Sequence, residues 1–454
     1  MTERVPLSYP QHRLWLMERL RPQAPTFNVP LGVWLEGPFD VRGLGYALQE
    51  TVRRHESLRT VIESDGGGEP AQVVQPPVPT EPDVLDLRGS SGDLDALALR
   101  HATEYARRPF RLDAPPLLRV LAVRVADDRH LLVIVAHHIV SDGWSTGLLV
   151  AELARHYTAH HSGTPEPQPS APAQYRDFAT WQRALVGTEL AGQLAFWRRY
   201  LDGAPRELEL PTDRPRPPVQ GFRGRLHRFA LPTEVARGAR HTASALGATP
   251  HMLALTAFAG TLARYSGVFD LVIGTPVANR PHPDFEELIG YCGNLLATRV
   301  DLTGAPTFAE AVLRTRRSVL STLEHQDVPF ELLVEELGAG RDPSRHPLFQ
   351  CLMVTQDFLP RSAVFGAARA RYVELDNETS KADLYLTLDW HGGHPHGSVQ
   401  YDSDLFDPVT VAAVTEQFLA VLGEGCREPG RRLAHLATAR SSVHAEGPPP
   451  ASPP

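Results

Sequence analysis

The chain has 454 residues, of which 42% are hydrophobic and 22% charged, close to the composition of an ordinary globular protein. Its formal net charge of −8, without a long basic run, argues against a dedicated nucleic-acid-binding protein. The N-terminus has no basic segment followed by an apolar one, and no run of about 18 apolar residues occurs, so we predict neither a signal peptide nor a membrane span.

The first predicted elements are a hairpin and a helix. Leu118–Val125 and Leu131–Ala136 flank a short polar turn, as two antiparallel strands do. The second run is apolar at every position, which is typical of a strand covered on both faces. From Gly143 to His161 the pattern becomes helical, and Gly163 marks the expected helix end.

Proline-rich segments separate the two halves of the sequence. Ser162–Gln174 contains four prolines and almost no bulky apolar residue, and Pro211–Pro218 has a similar composition. Between them, Tyr175–Leu201 carries apolar residues at helical spacing, which predicts one or two helices. The segment 441–454 is rich in proline and poor in apolar residues, and we predict a flexible tail there.

The second half again mixes strands and helices. The predicted strands are Leu271–Thr275, Leu384–Trp390 and Ser398–Asp402, and the predicted helices are Thr233–Leu246, Met252–Tyr265, Phe308–Glu324 and Pro408–Leu422. The sequence therefore indicates two α/β halves joined by a proline-rich connector.

The strongest chemical signal is the segment Ala136–Ser145, AHHIVSDGWS, where a buried strand ends and a helix begins. A histidine at such a turn, with an ordinary pKa of about 6.5, can accept a proton from an attacking amine or alcohol. The carboxylate of Asp142 can orient the imidazole, cap the helix together with Ser141, or pair with an arginine. The backbone N–H of Gly143 is a candidate donor to an oxyanion.

Other histidine groups are weaker candidates for chemistry. They are His156, His160 and His161 near a helix end, and His391, His394 and His396 in a glycine-rich turn. A solvated helix end and a turn explain these groups better than metal binding does, and we predict no metal site. The three cysteines are few and widely spaced, which favours a reducing, cytoplasmic location.

With these residues in view, AHHIVSDGWS resembles the HHxxxDG signature of the condensation domains of nonribosomal peptide synthetases, within the chloramphenicol-acetyltransferase-like superfamily. Six further segments resemble other core motifs of that family in the same order: Ser8–Leu16 (SYPQHRLWL), Arg54–Thr60 (RHESLRT), Tyr175–Gln182 (YRDFATWQ), Ile273–Arg280 (IGTPVANR), Gln326–Glu331 (QDVPFE) and Arg341–Gln350 (RDPSRHPLFQ). The resemblance extends from Ser8 to about Asp407.

The resemblance implies an α/β (α+β) fold of two chloramphenicol-acetyltransferase-like lobes that form a V-shaped pseudo-dimer around a tunnel. The lobes would be residues 1–175, with the HHxxxDG motif, and 176–440, followed by the tail at 441–454. One tunnel mouth would receive an acyl group on the phosphopantetheine arm of a carrier protein, and the other would admit the nucleophile. The resemblance implies no intrinsically bound cofactor.

The family's functional residues map onto the matching positions of this chain. His138 is the implied catalytic histidine, either as a general base or as the group that positions the nucleophile. Asp142 is implied to form a salt bridge with Arg280, and a structural role is favoured for both residues. His137 and Gly143 complete the implied catalytic group.

Further positions are implied to support the site. They are Arg59, Ser141, Trp144 and Asn279. Lys381 resembles a family lysine before an Asp-Leu strand, and it is the one lysine among 45 basic residues. All other Lys or Arg positions are arginine, so we predict a constrained position at Lys381 and make it a candidate for contact with ligand or carrier.

Cys292-Gly293-Asn294-Leu295 departs from the family pattern, where Phe-Val-Asn-Thr is frequent. The segment resembles the part that crosses between the lobes near the tunnel floor. The family's acceptor geometry therefore does not transfer directly to this chain.

Neither an adenylation signature nor a carrier-protein serine motif is present, so we expect a free-standing condensation enzyme, or an excised domain, that is served by a peptidyl carrier protein in trans. The expected reaction joins a carrier-bound acyl or aminoacyl thioester to a small-molecule or carrier-bound amine or alcohol acceptor. Alternatives are a CoA-dependent O- or N-acyltransferase, an epimerization domain, and a catalytically silent module that recruits a tailoring enzyme to a carrier. We expect no nucleic-acid or membrane partner.

Overall fold

The computed structural model describes residues 3–22, 24–64, 68–163, 173–185, 190–340, 342–356, 359–360, 363–390 and 395–437. Most of the predicted connector, His391 and His394, and the whole predicted tail at 441–454 lie outside these residues.

The described strands are β1 (Arg4–Pro6), β2 (Asn28–Glu36), β3 (Thr60–Glu63), β4 (Ala71–Val74), β5 (Asp83–Asp86), β6 (Leu118–Ala126), β7 (Arg129–His137), β8 (Gly224–Ala230), β9 (Asp270–Val277), β10 (Asn294–Asp301), β11 (Cys351–Thr355), β12 (Val364–Phe365), β13 (Ala368–Glu374), β14 (Leu384–Asp389) and β15 (His396–Asp402). The described α-helices are α1 (Tyr9–Leu20), α2 (Val41–Arg54), α3 (Leu94–Ala106), α4 (Gly143–Ser162), α5 (Tyr175–Leu185), α6 (Leu190–Tyr200), α7 (Thr233–Ala245), α8 (Pro250–Ser266), α9 (Phe308–Leu323), α10 (Phe330–Glu336) and α11 (Pro408–Arg427).

The first sheet has six strands in the order β12-β13-β2-β7-β6-β5. Strands β6 and β7 pair antiparallel, which confirms the predicted hairpin. Eight of the nine residues of β7 are buried, because helices cover both faces of this central strand. The buried strand ends at His137, and its rigid pairing fixes where the following residues begin.

The second sheet also has six strands, in the order β10-β9-β11-β14-β15-β8. Strand β11 is parallel to both β9 and β14, and the other pairs are antiparallel. Helices α7, α8, α9 and α11 contribute to its main core. Two sheets of mixed pairing confirm the predicted mixed α/β class. A small third sheet has the order β1-β4-β3.

The first sheet includes strands from late in the chain. Strand β13 pairs antiparallel with β2, from Arg369 opposite Glu36 to Glu374 opposite Leu31. Residues from both sides of the predicted boundary at 175/176 therefore build one sheet. The boundary itself stays a prediction, and the pairing shows that β12 and β13, which follow it in the sequence, belong to the first sheet.

Local signals explain where the helices near the cavity begin and end. Ser8 and Gln11 form a reciprocal capping box at the start of α1. Asp142 caps the start of α4, and Gly163 ends this helix in the left-handed region at φ +63°, as predicted. Within its described residues, the predicted helical stretch Tyr175–Leu201 contains the helices α5 and α6.

Among the described residues, α11 is long and apolar enough to span a membrane when judged by length and composition alone. It packs against α7 and α8 and buries Val411, Phe418 and Leu422 in the core of the second half. Its position in the core accounts for its apolar composition.

Candidate active site

A cavity of about 1880 Å³ lies between the two halves of the chain. The first half contributes His138 and Trp144 to its wall, and the second half contributes Tyr291, Lys381 and Tyr385. The site is therefore assembled from residues that are far apart in the sequence.

His138 lies in a short 3₁₀ turn, residues His138–Val140, between β7 and α4. Its Nδ1 lies 2.7 Å from the backbone carbonyl of Ser141. A carbonyl oxygen only accepts hydrogen bonds, so Nδ1 carries the proton and Nε2 keeps its lone pair. Nε2 has no hydrogen-bond partner within the described part of the chain, and His138 faces the cavity. The imidazole is thus oriented as an acceptor toward bound molecules.

The environment of His138 keeps its ring neutral. Burial, followed by the positive charge of Lys381, lowers the pKa of His138 below its ordinary value of 6.5. The ring of Tyr291 lies against the imidazole with a centroid separation of 4.3 Å and a tilt of 38°. A neutral, oriented histidine can accept a hydrogen bond from the N–H or O–H of a nucleophile.

His137 makes different contacts from those of His138. Its Nδ1 accepts a hydrogen bond from the backbone N–H of Ile139 at 3.1 Å, so its proton lies on Nε2. Nε2 points to Glu18, 3.3 Å away, and the side chain is 2% exposed. His137 is outside the cavity wall. The geometry fits support of the turn, and its assignment to the catalytic group stays a prediction.

Asp142 is a buried junction between the two halves. Its carboxylate accepts hydrogen bonds from the backbone N–H groups of Ser145, Cys292 and Gly293 at 2.8, 3.1 and 2.9 Å. Burial alone raises its pKa, but the charge of Arg280 and the hydrogen bonds outweigh burial, so the pKa of Asp142 lies below its ordinary value. The carboxylate is therefore ionised and fully engaged in holding the structure.

The ion pair that the resemblance implies between Asp142 and Arg280 is present. The guanidinium contacts the two carboxylate oxygens at 3.1 and 3.2 Å, and both side chains are at least 94% buried. Arg280 also donates to the hydroxyl of Ser145 and to the carbonyl of Leu288. These bonds fasten the start of α4 to the segment after β9, in agreement with the structural role favoured for the pair.

The other residues of the motif surround this junction. Ser141 is buried and supplies the carbonyl that orients His138. The N–H of Gly143, in the first turn of α4, has no acceptor among the described residues, and Gly143 lines the cavity. Trp144 also lines the cavity, and its indole N–H donates to the carbonyl of Glu286 at 2.8 Å.

The remaining two supporting positions differ in their distance from the cavity. Asn279 is buried with φ +48°, and its amide donates to the carbonyl of Cys292, so it shapes the segment that holds Asp142. Arg59 is not part of the cavity wall. It donates to the carbonyl of Gln75 at 2.6 Å and thereby braces the small third sheet rather than the site.

Lys381 lies in the cavity wall just before β14. Its ammonium stands 5.5 Å from the centre of the Phe27 ring. Burial, followed by the charge of Arg13, lowers the pKa of Lys381 from 10.5 to about 7. The predicted contact with ligand or carrier is compatible with this place, and it stays a prediction.

The sequence motifs contained further cavity residues that the prediction did not single out. Arg13, in the SYPQHRLWL segment, forms an ion pair of 2.9 Å with Glu331, in the QDVPFE segment. Arg13 also donates to the hydroxyl of Tyr291 at 3.3 Å. Tyr291 directly precedes Cys292–Leu295, the segment that departs from the family pattern. This position next to an unusual segment is the sequence feature that could have pointed to Tyr291.

Within the described residues, no group of three or more His, Cys, Asp or Glu side chains is arranged to hold a metal ion. The groups that the structure places at the site are the neutral imidazole of His138, the backbone N–H of Gly143 and the charges of Asp142, Arg280 and Lys381. Because this finding covers only the described residues, the absence of a metal site from the whole chain stays a prediction.

The sequence profile of the family described as Condensation domain matches residues 1–445. Phosphinothricin tripeptide synthetase PhsC of Streptomyces viridochromogenes is 40% identical over 439 residues, which cover 95% of this chain. The chain spans only 40% of the length of that relative.

Two solved structures extend the similarity to the fold. The X-domain from teicoplanin biosynthesis is 29% identical, with a TM-score of 0.83 and coverage of 96% of this chain and 98% of that one. SgcC5 from Streptomyces globisporus, in a complex with a naphthyl-ethanediol, is 26% identical, with a TM-score of 0.81 and coverage of 94% and 100%. The profile spans nearly the whole chain, and the chain accordingly belongs to the condensation domain family, the amide- or ester-forming acyltransferases of nonribosomal peptide biosynthesis.

Proposed function

We propose that this chain joins an acyl or aminoacyl group, delivered as a thioester on the phosphopantetheine of a peptidyl carrier protein in trans, to an amine or alcohol acceptor. The observation that carries the proposal is the orientation of His138. Its Nδ1–H is fixed on the carbonyl of Ser141, and its Nε2 lone pair is open to the cavity.

The geometry supports a direct transfer. The acceptor's N–H or O–H would donate to Nε2 of His138 while its nitrogen or oxygen attacks the thioester carbonyl carbon. The new C–N or C–O bond forms, the C–S bond breaks, and the acceptor's proton passes by way of Nε2 to the departing sulfur. His138 ends each cycle neutral, so no co-reactant is needed.

The cavity supports access for two substrates. Its wall combines residues of both halves, including Trp144 from the first and Tyr385 from the second. A V-shaped pair of lobes with a tunnel open at two mouths would let donor and acceptor meet at His138 from separate sides. This arrangement of lobes and tunnel is part of the proposal. The cytoplasmic location predicted from the cysteines is also part of it.

The test is product formation measured by mass spectrometry. The chain is incubated with carrier proteins loaded with defined acyl or aminoacyl groups and with a panel of amines and alcohols. Alcohols are included because the SgcC5 structure contains a diol. We expect a condensed product that depends on the carrier-bound donor. Greater activity with the matching acyl-CoA would favour a CoA-dependent acyltransferase instead.

A pair of histidine variants assigns the chemistry. His138→Gln is expected to lower turnover about 10²–10⁴-fold, the range for loss of a general acid–base group. His282→Gln is the matched control, because His282 is exposed and outside the cavity wall. Equal turnover of His138→Gln and the wild type would refute the assigned role of His138.

A second candidate is a recruitment module without catalysis. It is favoured by the similarity to the teicoplanin X-domain, which has been solved in a complex with OxyB. Stable binding of a tailoring enzyme from the same biosynthetic setting, together with no product from any donor and acceptor pair, would favour this candidate. Solvent deuterium incorporation at the donor α-carbon would favour an epimerization domain.

A further inference from the structure

Lys381 is the one lysine in the sequence, and it lies in the same cavity wall as His138. Its ammonium contacts the face of Phe27 and has no carboxylate or other hydrogen-bond acceptor among the described residues. The other cations of the wall donate to acceptors: Arg13 to Glu331, Arg345 to Glu207, Glu209 and Asp342, Arg21 to the carbonyl of Gly221, and Arg183 to the carbonyl of Leu7. Lys381 is thus the cavity cation that lacks a partner within the described chain.

The surroundings of Lys381 place its charge near the imidazole of His138. The ring of Phe27 contacts the ammonium and also lies 6.4 Å from the ring of His137, the residue before His138. Asn377 donates to the carbonyl of Asn28 at 3.0 Å, which ties the loop before Lys381 to the strand after Phe27. The charge of Lys381 is the largest cause after burial that lowers the pKa of His138, so the two groups are within electrostatic range.

A cation without a resident counter-charge is suited to a charge that appears only during the reaction. A nearby carboxylate would neutralise the ammonium before the substrate arrived, and the interaction would then be the same in ground state and transition state. An unpaired ammonium interacts more strongly as negative charge develops, and only such differential binding raises the rate.

On the basis of the proposed function, we propose that Lys381 is a catalytic residue that binds the negative charge developing on the carbonyl oxygen of the donor thioester. When the acceptor attacks the carbonyl carbon, the π electrons move to oxygen and form a tetrahedral oxyanion paired with the ammonium. The acceptor's proton goes to Nε2 of His138. The oxyanion then re-forms the carbonyl, the C–S bond breaks, and the sulfur takes that proton. Lys381 acts in its protonated form and neither gains nor loses a proton during the cycle.

The first test is steady-state kinetics of two Lys381 variants. Lys381→Met keeps the length of the side chain and removes its charge, and Lys381→Arg keeps the charge. We expect Lys381→Met to lower kcat about 10²–10³-fold, as loss of an oxyanion donor does, while KM changes less than about threefold. Lys381→Arg should recover at least a tenth of the wild-type kcat. Arg198→Met removes an exposed arginine of α6 that pairs with Glu336 of α10. This variant controls for net charge and should match the wild type.

Three kinetic results would overturn the inference. An unchanged kcat in Lys381→Met would show that the charge is not used. A rise in KM alone would make Lys381 a ground-state binding group. Equal losses in the Met and Arg variants would show that shape rather than charge matters. The melting temperature of each variant is measured so that a loss of folding is not read as a loss of chemistry.

The second test does not depend on turnover. A pantetheine phosphonate carries a tetrahedral anion in place of the thioester carbonyl, and the corresponding pantetheine amide is its neutral control. We expect the phosphonate to bind Lys381→Met about 10²-fold more weakly than the wild type, with the amide bound equally by both. Equal binding of the phosphonate by both proteins would refute the role of Lys381. If the phosphonate behaves as expected but no donor and acceptor give product, the proposed function fails and the inference on charge binding stands.

Discussion

The buried carboxylate of Asp142 permits a quantitative prediction. In Asp142→Ala the guanidinium of Arg280 loses both of its carboxylate contacts, at 3.1 and 3.2 Å, while remaining almost fully buried. The backbone N–H groups of Ser145, Cys292 and Gly293 lose their acceptor as well. The substitution therefore leaves the charge of Arg280 without a counter-charge and three backbone donors without their acceptor at the junction of the two halves.

Breaking a buried ion pair by removing one partner costs about 3–5 kcal/mol. We expect Asp142→Ala to lose this amount of unfolding free energy. With an unfolding entropy of about 2.1 cal/mol/K per residue, a cooperative unit of 454 residues loses about 1 °C per kcal/mol, so the melting temperature should fall by roughly 3–5 °C. Arg280→Ala should be destabilising too, and the double substitution should cost less than the sum of the two, because no unpaired charge is left buried.

The assay is denaturant unfolding of the wild type, the two single variants and the double variant. Asp284→Ala is the control, because Asp284 is an exposed partner of His282, and it should change stability by less than about 0.5 kcal/mol. A loss below about 1 kcal/mol in Asp142→Ala, or strictly additive losses in the double variant, would refute the account of the junction.

The same pair predicts a pH dependence with a definite sign. The folded pKa of Asp142 lies below the ordinary value of 3.8, because Arg280 and the hydrogen bonds outweigh the opposing effect of burial. The carboxylate therefore contributes stability above about pH 4, and the contribution is lost as the pH falls through the folded pKa. The stability difference between wild type and Asp142→Ala should be constant near neutral pH and shrink in acid.

Three further predictions concern the cavity wall. Tyr291→Ala should lower kcat about tenfold, because the ring positions His138, whereas Tyr291→Phe keeps the ring and should stay near wild-type turnover; equal losses would contradict this. Gly293→Ala should fold, since a Cβ there meets its nearest atoms at 3.4–3.7 Å, but should lower kcat/KM for bulky acceptors about tenfold more than for small ones. Reductive ¹³C-methylation gives Lys381 the one lysine NMR signal of the chain, and we expect its titration near pH 7 rather than near 10.5.

Elements held together by neighbours in the sequence could be predicted. The hairpin β6–β7, the turn at His138 and helix α4 depend on alternating apolar residues, a capping Asp142 and a terminal Gly163, all within about 45 residues of one another. The ion pair between Asp142 and Arg280 spans 138 residues, and only the resemblance to a family made it predictable. Spacing alone does not reveal which arginine a buried aspartate meets.

The order of elements, the strand-to-helix turn and the candidate histidines were determined by the sequence itself, since each depends on short-range hydrogen bonds and local apolar patterns. Only the tertiary structure decided that β13 joins the first sheet, that Tyr291 covers the imidazole, and that Lys381 shares the cavity with His138. The tertiary structure also distinguished the adjacent residues His137 and His138, because the hydrogen-bond partners that set the tautomer of each ring are supplied by the fold. Such contacts follow from how distant segments pack, and no local pattern encodes them.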